Sequence, residues 1–287
     1  MTNLILIFFY RSLLCLSVLI FGCTNRDLTS PAWNIRSLYP GVTHKYIYDA
    51  QYLGERRTIN ILEVDLSNNE FELDIAINRE KLQKTSKMAE EAGAIIAING
   101  SFFDPEKGGA VCYLKKEGDL INLSKPDPEE LLFLEMLDEG ALVIDENGEF
   151  SIQEKPKLNW ESLKAYHTIL SSGPLLLKDG IILEQEDIPF MKDSHARSSV
   201  GTSRGKLFFV AVDGYREQAV GVSMNDLAVL MQTLGCMDAL NLDGGGSTTL
   251  WSKYSISKIL NFPSDNKLLD HEGERAVANA ILVIPKK

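Results

Sequence analysis

The residues Asn241-Leu242-Asp243-Gly244-Gly245-Gly246-Ser247-Thr248-Thr249 place a carboxylate, three glycines and three hydroxyls in immediate succession. Consecutive glycines weaken a strand or helix, so such a run marks backbone in unusual torsions or backbone that comes close to a ligand. Three adjacent amides can turn inward around an anion such as a phosphate oxygen, which would make Gly244, Gly245 and Gly246 an anion cradle. Asp243 stands where the apolar run 238–242 stops, as a base, nucleophile or metal ligand beside that anion. Ser247 and the two threonines could hydrogen-bond sugar hydroxyls or cap the next element. The same residues also suit a flexible turn between two strands.

Other polar tips share this character. The run 94–98 ends at Asn99, and 206–212 ends at Asp213. Arg197 lies in Ser194-His195-Ala196-Arg197-Ser198-Ser199, a stretch of small polar residues. Its forked guanidinium matches a phosphodiester, or alternatively pairs with Asp193 at the surface. Around these groups lie Asn99-Gly100-Ser101-Phe102-Phe103-Asp104, Ser172-Gly173-Pro174-Leu175-Leu176, Ala196-Arg197-Ser198-Ser199-Val200-Gly201, Val212-Asp213-Gly214, Asn261-Phe262-Pro263-Ser264 and Glu274-Arg275-Ala276-Val277-Ala278-Asn279-Ala280. In this order and spacing the set resembles the phosphodiester glycosidase family, from about Thr58 to Ile284. Ser101 and Ser198 depart from its commonest pattern, in which a second glycine follows Asn-Gly and threonine follows the arginine.

The resemblance implies cleavage of a sugar–phosphate diester at the anomeric carbon, giving free sugar and a phosphomonoester. Catalytic positions are then expected at Asn99, Arg197, Asp213 and Asp243, with Arg197 on the phosphate and one aspartate acting as nucleophile or as base for a water. Gly244, Gly245, Gly246, Ser247, Phe103, Asp104, His195, Glu274, Arg275 and Asn279 are the expected substrate-binding set. Phe102 and Phe103 would stack on a sugar face, unless they pack in the core. No cofactor is required by this chemistry, although Asp213 and Asp243 with backbone oxygens would also suit Ca2+ or Mg2+. Two further readings fit the same residues: a metal-assisted phosphodiesterase, and a non-catalytic lipoprotein that binds glycan phosphates.

The formal net charge of −11 argues against nucleic acid as a partner. The apolar segments 4–9 and 13–21 run into Gly22-Cys23 and then into polar residues. This resembles a bacterial lipoprotein signal: residues 1–22 are removed, Cys23 is lipidated, and the exported protein is held at the cell envelope. An uncleaved membrane anchor is the alternative. Residues 23–42, with Pro31 and Pro40, read as a tether, and 43–287 as the catalytic domain. Of the remaining cysteines, Cys112 and Cys236 could pair in an oxidising compartment. The four histidines show no zinc-site spacing.

Positioning these groups falls to short strands and two clear helices. The spacing predicts a first strand at 45–50, then strands 58–66 and 70–77 joined as a hairpin through Ser67-Asn68-Asn69. A helix follows at 85–92, capped by Thr85 or Ser86. Segments 111–155 carry several short strands, 206–213 a strong one and 276–284 the last. Ser223 caps a helix over 223–234, where Leu227, Leu230, Met231 and Leu234 recur at helical spacing. Strands dominate, and the pattern predicts a single mixed α+β domain; if the strands that end at Asn99, Asp213 and Asp243 are neighbours, their ends converge on one sheet edge.

Overall fold

Apolar runs without alternation dictate the centre of the fold. In Lys206–Val212 every residue after Lys206 is buried. Its side chains still alternate: Phe208, Val210 and Val212 face one core, Leu207, Phe209 and Ala211 another. A strand covered on both faces has no polar face to show. The computed structural model describes residues 31–67, 70–123 and 135–286. Within it this strand sits in an eight-stranded antiparallel sheet, ordered Asn34–Tyr39, Val42–Tyr52, Glu55–Asp65, Lys206–Val212, Arg197–Ser203, Asp238–Asn241, Leu175–Lys178 and Ile181–Ile182. The helix Met224–Thr233 covers one face, where Leu227, Leu230 and Met231 meet Ile59, Ile61 and Val210.

The opposite face packs on two smaller sheets. One is ordered Leu250–Ser252, Ile96–Asn99, Asn279–Pro285 and Phe71–Ile77. The other is ordered Phe150–Glu154, Gly140–Asp145, Tyr166–Ser172, Leu114–Lys116 and Asp119–Asn122. Leu62, Val64 and Phe209 of the large sheet share a core with Ile75, Ile98 and Ile281 of the first and with Leu142 and Leu170 of the second. The chain is strand-rich with few helices, as expected.

Several expectations need correction. Glu55–Asp65 and Phe71–Ile77 are not a hairpin: the first pairs with Val42–Tyr52 and Lys206–Val212, the second with Asn279–Pro285. The first is buried on both faces, so it belongs inside a large sheet and not at a hairpin edge. Asn34–Tyr39, assigned to the tether, is an edge strand paired along Val42–Tyr46. Its mostly exposed residues gave no apolar alternation to read. The last strand is interrupted at Ala278: Ala276–Val277 pairs with Gln83–Lys84, and Asn279–Pro285 continues between Ile96–Asn99 and Phe71–Ile77.

Helix Thr85–Ala92 lies where it was expected, but neither Thr85 nor Ser86 caps it through its side chain. Cys112 and Cys236 are both buried and both free. Cys23, the signal and the start of the tether lie outside the described residues. Among the described residues no helix is long and apolar enough to cross a membrane.

Candidate active site

Antiparallel pairing brings distant strand ends together. Arg197 opposes Val212 and Ser199 opposes Asn241, so the start of one strand and the ends of its two neighbours share an edge. Asp213 and Asp243 follow immediately. From the layer beneath, Ile96–Asn99 ends at the same place, because its partner Leu250–Ser252 begins directly after the glycine loop. Asp213 and Asp243 therefore share one sheet edge, and Asn99 meets them there from a separate sheet and not as a neighbouring strand.

Two asparagines clasp this junction. Asn99 Nδ2 donates to the Asp243 carbonyl at 2.6 Å, and its Oδ1 accepts from Ser198 Oγ at 2.7 Å and Thr249 N at 3.1 Å. Buried, and hydrogen-bonded through both its amide nitrogen and its oxygen, Asn99 braces the Asp243 backbone. Asn261 does the same for the other carboxylate. Its Nδ2 donates to Asp213 Oδ1 at 3.0 Å and to the Thr248 carbonyl at 2.9 Å, while its Oδ1 accepts from Leu250 N. The motif around Asn261 was visible in the sequence, but nothing there said which acid it served.

The two carboxylates differ in access. Asp213 is sealed from solvent: Oδ1 also accepts from Phe262 N at 3.0 Å, and Oδ2 has no hydrogen-bond partner among the described residues. Burial pushes its pKa up to about 7, against the pull of Asn261 and Phe262. Asp243 keeps part of its surface open to solvent although protein crowds it on most sides. Burial pushes it up to about 6. The Ser247 hydroxyl and Gly244 N–H oppose that rise, the hydroxyl lying beside the carboxylate without completing a hydrogen bond in this conformation.

The glycine loop is not a cradle of three amides. Gly244 N donates to Asp243 Oδ1 at 2.9 Å and Gly245 N to the Ala196 carbonyl at 2.8 Å, which leaves only Gly246 N without a protein acceptor among the described residues. The glycines serve close approach instead. A Cβ on Gly244 would lie 2.6 Å from the Ala196 carbonyl oxygen, and one on Gly214 would lie 2.4 Å from Ala196 N. Loops from two strand ends thus grip one residue, Ala196, next to Arg197. Ser247, Thr248 and Thr249 are buried, with hydroxyls that find no hydrogen-bond partner among the described residues.

Arg197 is no surface residue. It is buried, stacks 4.7 Å over the Phe190 ring, and donates to the carbonyls of Phe190 and Val222. Burial lowers its pKa to about 10, so it stays charged at neutral pH. Only Nη1 remains without a partner among the described residues. Arg275 is more accessible: it covers Gly246, pairs with Asp265 through Nε at 2.7 Å, and its charge reaches Asp243. His195 accepts or donates at Nδ1 to the Tyr215 hydroxyl, 3.3 Å away, and burial followed by the Arg197 charge lowers its pKa. Tyr215 is half-exposed with a left-handed φ of 64°, a costly backbone for a tyrosine. Its hydroxyl lies over Gly245, where a Cβ would come within 3.4 Å of the oxygen. A lone tyrosine after Val212-Asp213-Gly214 carried no signal of this placement.

Four expected binding residues stand elsewhere. Phe103 packs with the core around Met88 and Trp251, while Phe102 faces Phe190 edge-on at 6.4 Å. Asp104 Oδ1 closes its own turn, accepting from Glu106 N and Lys107 N. Asn279 Oδ1 accepts from Ser101 N at 2.7 Å and braces the backbone behind Asp243. Glu274 caps helix Thr85–Ala92, accepting from Ser86 N at 2.7 Å and Ser86 Oγ at 2.6 Å. A carboxylate there also complements the helix dipole. Glu274→Ala is expected to lower stability by about 1–2 kcal/mol in urea denaturation, with turnover per folded molecule kept; a collapse of turnover at full stability would return Glu274 to the site.

Among the described residues no three His, Cys, Asp or Glu side chains form a group that could hold a metal ion. The clasped carboxylates, the flanking arginines and the glycine loop at one sheet edge define a polar, anion-ready site. Residues 92–284 match the sequence model of the phosphodiester glycosidase family, and the chain belongs to that family.

Two curated relatives are N-acetylglucosamine-1-phosphodiester alpha-N-acetylglucosaminidases. The Mus musculus protein is 24% identical over 183 residues, covering 61% of this chain and 34% of the relative. The Bos taurus protein is 26% identical over 186 residues, covering 62% and 34%. The match thus spans about a third of the relatives' own length. Among solved structures, the catalytic domain of the zebrafish N-acetylglucosamine-1-phosphodiester alpha-N-acetylglucosaminidase superposes with a TM-score of 0.66 at 19% identity, covering 91% of this chain and 86% of that one. A Synechocystis protein gives 0.66 at 15% identity, covering 90% and 64%. At these identities the structures share the fold.

Proposed function

We propose that the chain is a hydrolase that cleaves a sugar-1-phosphodiester at the anomeric C–O bond, releasing free sugar and a phosphomonoester. The observation that carries this reading is a partly solvent-open carboxylate, Asp243, in the same loop as Gly246 and within reach of the charge of Arg275, whose guanidinium covers Gly246. Asp243 meets the anomeric centre, as nucleophile or as base for water, and stabilises its oxocarbenium-like charge. Arg275, Gly246 N–H, Arg197 Nη1 and the Tyr215 hydroxyl take the phosphate. A phosphomonoester has a second pKa of about 6, so it leaves with little help from a general acid, and donors aimed at its oxygens supply the main stabilisation. Asp213, sealed behind Phe262, positions the loop and does not touch the sugar. The step needs no cofactor.

The Gly22-Cys23 boundary supports export and lipid attachment at Cys23, and the net charge supports a partner other than nucleic acid. The names of the relatives support N-acetylglucosamine as the sugar. Incubation of the full chain with an N-acetylglucosamine-1-phosphodiester in oxygen-18 water tests the reaction. Label in the released sugar is expected. Label in the phosphate, or turnover abolished by a chelator, would move the cleavage to the P–O bond and call for a metal.

A further inference from the structure

A row of rings leads away from the site along the strand Val42–Tyr52. His44, Tyr46 and Tyr48 alternate onto one face of it, with centroids 4.8 Å apart for the first pair and 4.9 Å for the second. Tyr48 then meets Phe262 edge-on at 5.6 Å, and Phe262 stacks on His271 at 4.6 Å. Phe262 is the residue whose N–H holds Asp213, so the row ends at the wall of the candidate site. Exposure rises toward that end: His44 is buried, Tyr46 half-buried and Tyr48 44% exposed.

The buried end is locked. Arg36 Nε donates to His44 Nδ1 at 3.0 Å, so the ring's remaining proton sits on Nε2 and is donated to Asn60 Oδ1 at 2.9 Å. The Arg36 guanidinium also lies 5.5 Å from the Tyr46 ring centroid. Burial keeps His44 neutral, with its pKa lowered to about 4. A packing role alone would not leave the terminal ring half in solvent against Phe262, the residue that seals Asp213. Fixed, partly open tyrosines offer an aromatic face for apolar C–H groups and a hydroxyl for polar ones, and a pyranose ring presents both. Nucleobases would suit the rings as well, but the net charge of −11 disfavours a polyanion.

We infer that Tyr48, held by Tyr46 and Phe262, is a stacking subsite for a second sugar ring, so that the substrate is an oligosaccharide carrying the phosphodiester and not a lone sugar phosphate. This rests on the proposed glycosidase reading for its place beside the site, yet it concerns binding alone. The test uses the full chain bearing Asp243→Asn, with chitotetraose, maltotetraose and mannotetraose as probes in saturation-transfer NMR. At least one probe is expected to bind, with the strongest transfer to the C–H protons of one ring face. Adding Tyr48→Ala should weaken that binding about tenfold, and Tyr48→Phe should keep it within about twofold, because the face is retained. Tyr48 is partly exposed, so its truncation leaves the core intact. Absence of transfer from all three probes, unchanged affinity in Tyr48→Ala, or self-association through this face would overturn the subsite. Stacking lost in Tyr48→Ala alongside a failed oxygen-18 experiment would keep the subsite and discard the reaction; the reverse would do the opposite.

Discussion

Asp243→Asn is expected to lower kcat by at least about 10³-fold while the protein stays folded. The substitution keeps the shape of the side chain, and its Oδ1 can still accept from Gly244 N, so the loop has no reason to move. What disappears is the negative charge opposite the anomeric centre and the lone pair that attacks it or activates water. Arg197 and Gly246 N–H remain, so binding of the phosphate should persist and KM should change little by comparison. The wild-type pH profile checks the same group independently. Asp243 acts only when ionised, and burial pushes it up to about 6, so kcat/KM should fall as pH drops through that value. An acid limb retained in Asp243→Asn, or turnover within tenfold of wild type, would assign the chemistry to another group.

Much of this site was legible because strand tips and glycines are local signals. Asn99, Asp213 and Asp243 each end an apolar run; the last two share a sheet edge because both their strands run antiparallel to Arg197–Ser203 between them, and Asn99 reaches it from a second sheet. The helix Met224–Thr233 was equally plain, since Ser223 accepts from Asp226 N as an N-cap should. What the chain could not announce was partnership over long separations. Glu55–Asp65 reads as half of a local hairpin, yet its neighbour on one side lies in Lys206–Val212. Gly244 and Gly245 look like free donors until the Ala196 carbonyl and the Asp243 carboxylate are seen to take their amides. Glu274 and Arg275 are adjacent in sequence, but one caps a helix and the other covers Gly246. Arg197 sits among small polar residues that suggest a surface loop. Small residues there in fact let Gly214 and Gly244 close over the backbone and bury the guanidinium.

Asp213→Asn should separate stability from function through pH. In the folded protein Asp213 holds its proton up to about 7; unfolded, it releases it near 3.8. Between those values the folded state binds more protons, so this group lowers stability as pH rises from about 4 to about 7 and no further beyond. Below 3.8 both states are protonated and the penalty is absent. The gap between about 7 and 3.8, at about 1.4 kcal/mol per pKa unit, bounds the penalty at about 4 kcal/mol above pH 7. Asparagine removes the charge and keeps the Oδ1 acceptor for Asn261 and Phe262, but its amide takes the place of an Oδ2 that has no partner among the described residues. Burying that amide costs about 1–3 kcal/mol. Urea denaturation should therefore find Asp213→Asn more stable than wild type by about 1–3 kcal/mol at pH 8, and less stable at pH 4, where the wild-type carboxyl is neutral and only the amide cost remains. Turnover should fall at pH 8, where Phe262 and Asn261 lose the charge that fixes their loop against the site. Equal stability differences at pH 4 and pH 8 would mean that Asp213 ionises normally in the folded protein, and the sealed environment read from its burial would be wrong.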